Sequence, residues 1–176
     1  MGSKIKMQKT KKGFNLVEML IVLGIVIFLS AVILPSYGSM RAKFALLRSA
    51  YQLAQDIKLA REMAISAKSA TGGTPPGYGV YLVEEDSNYV IYIDTNGNKK
   101  FNVDGDQKFK EDDLENKVYI QNISGPQSKV SINFTGPDSE VSIDGSPTPA
   151  VITLGLDGSS ETKNIHINGI GLIYVE

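Results

Sequence analysis

The segment KKGFNLVEMLIVLGIVIFLSAVILPSYGSM, residues 11–40, decides what kind of fold this chain can have. From residue 19 to residue 40 it carries no charge, and as a helix it is long enough to cross about 30 Å of hydrocarbon. The run therefore predicts a membrane-spanning helix. Five lysines and no acid precede Gly13, so the positive-inside rule predicts a cytoplasmic amino terminus and a remainder that lies across the membrane.

A secretory signal peptide is the simpler interpretation of such an amino terminus, but it fits poorly. Signal peptides have an apolar region of about 7 to 15 residues, followed by a cleavage site of small residues. Here the apolar run is longer and leads directly into a helical pattern, and Glu18 stands at its start. A lone carboxylate at the centre of a bilayer costs on the order of 2.5 to 3.5 kcal/mol, and less near the edge. Glu18 therefore indicates a positively charged partner in a neighbouring subunit.

The residues KKGFNLVEMLIVLGI resemble the leader of type IV pilins and type II secretion pseudopilins. The resemblance implies that a prepilin peptidase cleaves between Gly13 and Phe14 and that the new amino terminus on Phe14 is methylated. It also implies that Glu18, the fifth mature residue, serves filament assembly, and that Pro35 kinks or locally melts the apolar helix. Residues 1–13 would then be a cleaved leader, with Met1 or Met7 as the native start.

The spacing between Phe14 and Glu18 has a physical reason. Cleavage would leave an ammonium group on Phe14, one helical turn from the Glu18 carboxylate. In a medium of low dielectric constant the two charges attract by several kcal/mol before desolvation is subtracted, so the pair can select the register between subunits. An uncleaved single-pass anchor with an accidental acid is the alternative, and it leaves this combination of residues unexplained.

Residues 41–70 continue the helix as an amphipathic segment, so one long helix is expected whose front half, residues 14–40, lies in the membrane or in a filament core. Apolar side chains recur in alternating steps of four and three and form one face. The face consists of Leu46, Ala50, Leu53, Ile57, Ala60, Ala64 and Ala67. The stripe is compatible with a coiled coil, but its many alanines favour packing on the chain's own head.

Residues 71–176 are predicted to form a β-rich head of antiparallel sheets. After a loop rich in Gly and Pro, short runs with a period of two are bounded by Gly, Pro, Asn or Asp. The runs are YGVYLVEE, NYVIYID, NKVYIQNI, SKVSINFTG, SEVSID, AVITLGL, KNIHING and GLIYVE. The Asn96–Gly97 pair predicts a tight hairpin turn after the second run. The fold class is therefore α+β, a long amino-terminal helix packed against a β-rich head, as in pilins.

Three further stretches resemble the GspH and FimT group of minor pilins and pseudopilins. They are QLAQDIKLAREMAIS on the helix, DTNGNKKF after a strand, and NGIGLIYV at the carboxy terminus. The resemblance implies a structural subunit of a type IV pilus or a type II secretion pseudopilus, and no enzyme. Its partners would be prepilin peptidase, other pilin or pseudopilin subunits and an inner-membrane assembly platform.

The same resemblance implies a single-pass protein of the inner, cytoplasmic membrane, with a cytoplasmic amino terminus and a periplasmic or extracellular head, which later joins a filament. Whether that filament belongs to a pilus, a competence apparatus or a type II secretion system stays open at this point, as does a major or minor role.

The composition argues against several classes of site. The chain has no cysteine, which excludes disulfides, thiolate metal sites and Cys nucleophiles. His166 is the only histidine, and it alternates with Ile165 and Ile167 on a predicted strand, where an exposed or edge position is expected. One histidine on a strand, without a GxSxG turn, gives catalysis little support.

A calcium site is a candidate in the segment DTNGNKKFNVDGDQKF, because calcium prefers oxygen ligands. The candidate ligands are Asp94, Asn96, Asn98, Asp104 and Asp106. The segment does not fit the twelve-residue calcium-loop template, since Lys99 occupies the place of the invariant glycine and Gly105 that of the closing Glu. Asp, Asn and Gly are also what exposed turns contain, so a solvated turn without a cofactor is the preferred interpretation.

DNA binding is the alternative function, since some FimT-like minor pilins of DNA-uptake systems bind DNA through basic residues near the carboxy terminus. Here the only arginines, Arg41, Arg48 and Arg61, all lie on the helix, and the final strand ends in an acid. Lys99, Lys100, Lys108 and Lys110 cluster, but acids interleave them. The chain without its leader lysines carries a net charge of −6 instead of −1, so nucleic acid is not the expected partner.

Overall fold

The structure, a computed structural model, describes residue 13 and residues 15–66, 76–125, 127–136, 140–144 and 149–176. The chain divides into two compact units, Met1–Met40 and Arg41–Glu176. A single helix in the described residues, α1 (Leu16–Ile65), begins in the first unit and ends in the second. The last residues of the predicted amphipathic segment, 67–70, lie outside the described residues.

Nine strands follow the helix in the described part of the chain. They are β1 (Gly77–Val83), β2 (Asn88–Asp94), β3 (Gln107–Asp113), β4 (Val118–Ile123), β5 (Lys129–Thr135), β6 (Glu140–Ile143), β7 (Ala150–Leu156), β8 (Thr162–Ile167) and β9 (Ile173–Val175). They form a five-stranded sheet in the order β3-β2-β1-β5-β6 and a four-stranded sheet in the order β4-β7-β8-β9. Every pairing is antiparallel, which confirms the predicted α+β class.

The predicted apolar face of the helix is buried against the head. One cluster of buried apolar side chains joins the second half of α1 with strands of both sheets. Leu46, Ala50, Leu53, Ile57, Ala60 and Ala64 are each no more than 3% exposed, and Ala67 lies outside the described residues. Because these side chains fill the chain's own core, the stripe is not free to form a coiled coil.

Strand β3 and the long loop before it were not predicted. Asn96 and Gly97 do not close a tight hairpin, because residues 95–106 separate β2 from β3. β3 itself, QKFKEDD, has one large apolar side chain, Phe109, and that side chain is half exposed. A strand without apolar alternation gives no period-two signal, so only its backbone pairing with β2 reveals it.

The loop folds back over the outer face of the five-stranded sheet. The Phe101 ring lies 5.0 Å from the Tyr81 ring and 5.2 Å from the Tyr92 ring, between centroids, within the range of aromatic contacts. The Phe101 amide also donates to the Ser131 hydroxyl at 3.1 Å. Because the loop covers this face, six successive residues of β2 are buried. In an uncovered sheet, buried and exposed residues would alternate along the strand.

Candidate functional site

The start of α1 is organised by Asn15. Its carbonyl accepts the amides of Glu18 at 3.0 Å and Met19 at 3.2 Å, and its side-chain oxygen accepts the Val17 amide at 3.4 Å. Asparagine is among the best residues at this position, because it satisfies amides that have no partner within the helix. This role was not predicted from the sequence, although an Asn three residues before a Glu is close to a capping-box pattern.

Glu18 lies in the first turn of α1, with its side chain exposed. A carboxylate there interacts favourably with the positive end of the helix dipole. Gly13 is exposed as well, with nothing within 4 Å of the place where a Cβ would be. Phe14 lies outside the described residues, so its cleavage, its methylation and its pairing with Glu18 stay predictions.

The helix that follows is apolar and uncovered. The window Leu16–Ile33 has a mean hydropathy of 2.9, and none of it is buried within the chain. Eighteen helical residues span about 27 Å, close to the thickness of a hydrocarbon core. Ser30, the one hydroxyl in this window, donates to the Val26 carbonyl at 2.8 Å and so needs no other partner. By length and composition the helix can cross a membrane, a test that signal sequences also pass.

Pro35 lies within α1, whose bounds run past it on both sides. The proline therefore does not end the helix. The side chains of residues 34–37 are outside what the structure describes, and a kink at Pro35 stays a prediction.

The loop with the calcium candidates is held by its own side chains. The Asp94 carboxylate is buried and accepts the amides of Gly97 at 2.7 Å and Lys99 at 2.9 Å, together with the Asn133 side-chain amide at 3.2 Å. The Asp106 carboxylate accepts the amides of Thr95 at 3.1 Å and Asn102 at 2.8 Å. These bonds close the loop at both ends.

The other three candidate ligands differ among themselves. The side-chain oxygens of Asn96 and Asn98 accept the amides two residues further on, Asn98 at 2.9 Å and Lys100 at 2.8 Å. Such Asx turns are a common use of Asn in loops. The Asp104 side chain is exposed. Within the described residues, no group of three or more His, Cys, Asp or Glu side chains has the arrangement of a metal site.

A charged cluster ties β3 to the helix. The Lys110 ammonium lies 2.7 Å from the Asp112 carboxylate and 3.3 Å from that of Asp56, which is 8% exposed. Tyr89 donates to Asp56 at 2.6 Å, and Gln52 donates to Asp112 at 3.0 Å. The cluster therefore fixes a strand that has almost no apolar contacts of its own.

The electrostatics of this cluster follow from those contacts. The hydrogen bond from Lys110 lowers the pKa of Asp112, and the same bond raises the pKa of Lys110. Burial, and then the bond to Asp56, raise the pKa of Tyr89 far above its usual range, so the hydroxyl stays protonated and donates. A second pair, Arg48 with Glu115 at 2.5 and 2.7 Å, lowers the pKa of the Glu115 carboxyl through its hydrogen bonds.

The lysine cluster considered for DNA is largely paired with acids. Lys99 lies 3.3 Å from Glu140, Lys108 lies 3.0 Å from Glu111, and Lys110 belongs to the cluster with Asp56 and Asp112. A lysine already paired with an acid releases fewer counterions on meeting a phosphate. Lys100 is the only one of these four lysines without an ion pair among the described residues.

His166 is neither on an edge strand nor fully exposed, contrary to the prediction. β8 lies between β7 and β9, and the His166 ring stacks on that of Tyr174 with centroids 4.8 Å apart. Its Nε2 lies 3.1 Å from the Glu176 carboxylate. The neighbours Ile165 and Ile167 point into the core, as the alternation predicted. The imidazole thus packs against β9 through the Tyr174 ring.

Comparison with known proteins adds a family to this geometry. A family model described as type II transport protein GspH matches residues 49–171, which is more than half of the chain. Among solved structures, the minor pseudopilin EpsH from the type 2 secretion system of Vibrio cholerae is similar, with a TM-score of 0.50 and 15% sequence identity. The match covers 74% of this chain and 95% of that one, and at this identity it shows the fold alone. No curated protein sequence matches the chain.

Proposed function

The chain belongs to the GspH family of type II transport proteins, and from that premise we propose that it is a minor pseudopilin, a membrane-anchored structural subunit of a type II secretion pseudopilus. The similarity to a minor pseudopilin in fold supports the minor role. A structural role also agrees with how the head uses its polar side chains, which form hydrogen bonds and ion pairs between loops and strands.

The observation that carries the proposal is the apolar helix that nothing in the chain covers. Large apolar side chains from Leu16 to Ile33 are about half exposed or more, whereas the head has a complete core of its own. Exposed apolar surface of this extent needs a lipid or a protein environment. A subunit whose helix lies first in a bilayer and later among other subunits meets the lipid environment and then the protein environment.

In this proposal the subunit is held in the inner membrane with its amino terminus in the cytoplasm and its head in the periplasm. Prepilin peptidase cleaves after Gly13, and the new amine on Phe14 is methylated. An assembly platform then transfers the subunit into the filament, where Glu18 pairs with the Phe14 amine of a neighbouring subunit. Burial strengthens that attraction, and the pair rejects registers that would leave one charge alone.

The proposal is tested with two substitutions in cells that carry the secretion machinery. We expect Gly13→Ala to leave the chain unprocessed, which the mass of the purified protein reports. We expect Glu18→Gln, which keeps the shape and removes the charge, to be processed normally and to lose crosslinking to other pseudopilins. The matched control is Gly169→Ala, a change of the same size in the head with nothing within 4 Å, which should alter neither processing nor crosslinking. Normal crosslinking of the Glu18→Gln protein would contradict the assembly role.

A further inference from the structure

A pocket of about 400 Å³ opens on the head between the last turns of α1 and the segment just before β9. The helix contributes Lys58, Arg61, Glu62 and Ile65, and the other wall is made by residues 171–173. A volume of this size is at the lower end of the range for small-molecule sites and also accommodates one or two side chains. All of its lining lies in the unit Arg41–Glu176.

Arg61 has one N–H group, at Nε, that finds no acceptor among the described residues, and this Nε is buried. Gly171 packs against the guanidinium so closely that a Cβ there would lie 3.1 Å from Nε and 3.3 Å from Cζ. A buried N–H without an acceptor is unfavourable, so the hydrogen bonds of the Arg61 guanidinium are not all satisfied within the described part of the head.

The charge of the pocket is positive and its mouth is apolar. Lys58 and Arg61 outnumber Glu62, and Ile65 and Leu172 are 46% and 54% exposed. Ile170, on the same turn as Leu172, is 79% exposed. A ligand that fits both features carries one negative charge beside an apolar group.

The turn that presents Leu172 is held by hydrogen bonds of its own. The Asn168 side-chain oxygen accepts the amides of Ile170 at 3.2 Å and Leu172 at 2.7 Å, and the Asn168 carbonyl accepts the Gly171 amide at 2.9 Å. Gly171 has a φ of 78°, which glycine adopts without strain. A wall that is already ordered lowers the entropic cost of binding.

We propose that this pocket binds a carboxylate carried next to an apolar side chain on an extended segment of another protein. Arg61 and Lys58 hold the carboxylate, and Ile65 and Leu172 contact the apolar side chain. A guanidinium favours a carboxylate because its planar N–H groups match two oxygens at once. A polyanion such as nucleic acid fits less well, since Glu62 lies in the same wall and the chain without its leader lysines carries a net charge of −6.

This binding site is independent of the filament role proposed above. It uses none of the residues of the amino-terminal segment, so a chain that fails to assemble through Glu18 would keep it. The test below therefore measures the pocket in an isolated chain, where assembly does not enter.

The test uses the full chain in nanodiscs of phosphatidylcholine, which carries no net charge. Two probes are compared by saturation-transfer NMR at their leucine methyl groups, acetyl-Leu-Glu-Leu-amide and the neutral acetyl-Leu-Gln-Leu-amide. We expect the Glu peptide to bind about tenfold more tightly, as a charge-assisted hydrogen bond implies, and to weaken as salt is raised. Equal affinity of the two peptides, or no binding of the Glu peptide, would overturn the proposal.

Substitutions then assign the site. Arg61→Gln should remove the preference for the Glu peptide over the Gln peptide. Lys58→Gln, at an exposed position that the core does not need, should reduce that preference. Leu172→Ser should lower the affinity for both peptides. The matched control is Arg48→Gln, on the same helix but paired with Glu115, which should leave binding unchanged. The proposal would be overturned in favour of nucleic acid if a single-stranded oligothymidylate bound more tightly than the Glu peptide and if Arg61→Gln abolished that binding.

Discussion

Within β1, Gly79 is the glycine at which an added Cβ would come closest to other atoms. A Cβ there would lie 2.5 Å from both the Ile132 carbonyl oxygen and the Tyr92 ring, on the face that Phe101 covers. We expect Gly79→Ala to lower the free energy of unfolding by about 1–3 kcal/mol, because the backbone and the ring must both move. Urea denaturation measures this loss. Gly169→Ala, with nothing within 4 Å, is the control, and an equal loss in the two variants would show that the contact is not the cause.

Asp94 is the residue on which the loop between β2 and β3 depends. Asp94→Ala would leave the Gly97 and Lys99 amides without their acceptor, and we expect a loss of about 2 kcal/mol or more in the free energy of unfolding. Asp104→Ala, an exposed candidate ligand in the same loop, should change it by less than about 0.5 kcal/mol. Thermal unfolding of both variants and the parent chain measures this.

Metal removal separates the two interpretations of that loop. Since the Asp94 and Asp106 carboxylates already accept backbone amides, we expect the melting temperature of the parent chain to stay the same in chelator and in added calcium. A resident ion would stabilise the folded state by an amount that grows with its free concentration. A rise of the melting temperature with calcium, absent in Asp94→Ala, would therefore restore the calcium hypothesis.

At the scale of elements, β3 is attached to the helix by charge rather than by apolar contacts, and this makes its attachment depend on pH. Because Lys110 lowers the pKa of Asp112 in the folded state, the pair contributes stability above the ordinary pKa of an Asp. That contribution is lost as the pH falls from about 5 through the lowered value. Solvent screens the pair, since Asp112 and Lys110 are partly exposed, so the effect is small.

We expect Asp112→Asn to reduce the loss of stability between pH 7 and pH 3, measured as the change in the free energy of unfolding in urea. Asp113→Asn, the adjacent exposed acid with no ion pair among the described residues, should leave the slope of the parent chain unchanged. The protection of the β3 amides against hydrogen exchange, relative to their intrinsic exchange rates, should fall more between pH 7 and pH 3 than that of the β1 amides. If the two variants show the same slope, the cluster does not hold β3.

The elements that could be predicted from the sequence are those with an apolar pattern. The stripe from Leu46 to Ala64 and the runs that became β7 and β8 follow periods of 3.6 and two, since burial on one side requires them. β3 could not be predicted, because Lys110 pairs with Asp56 and Asp112 accepts from Gln52, and both partners are distant in the sequence. The loop over Tyr92 was missed for the same reason, since nothing local in residues 95–106 indicates that Phe101 returns to the sheet.

The whole molecule combines two units that need different surroundings. The described part of the unit Met1–Met40 exposes its apolar side chains on all sides, while Arg41–Glu176 buries its own in one cluster. The roles proposed for Gly13, Phe14 and Glu18 come from one short stretch of sequence, because a leader is a linear signal, and they stay predictions. The pocket at Arg61 could not be predicted, because its walls are more than a hundred residues apart in the chain.

This division predicts that the head folds without the membrane segment. Every side chain of the core cluster, including the partly buried ones packed against it, comes from residue 42 or later. We therefore expect a chain that starts at Arg41 to unfold cooperatively, with a melting temperature close to that of the full chain in detergent, by circular dichroism. The control is a chain that starts at Tyr51, which loses Leu46 and Ala50 from the core and should be less stable by about 3 kcal/mol or more. Loss of cooperative unfolding in the longer of these two chains would mean that residues 1–40 contribute to the fold of the head.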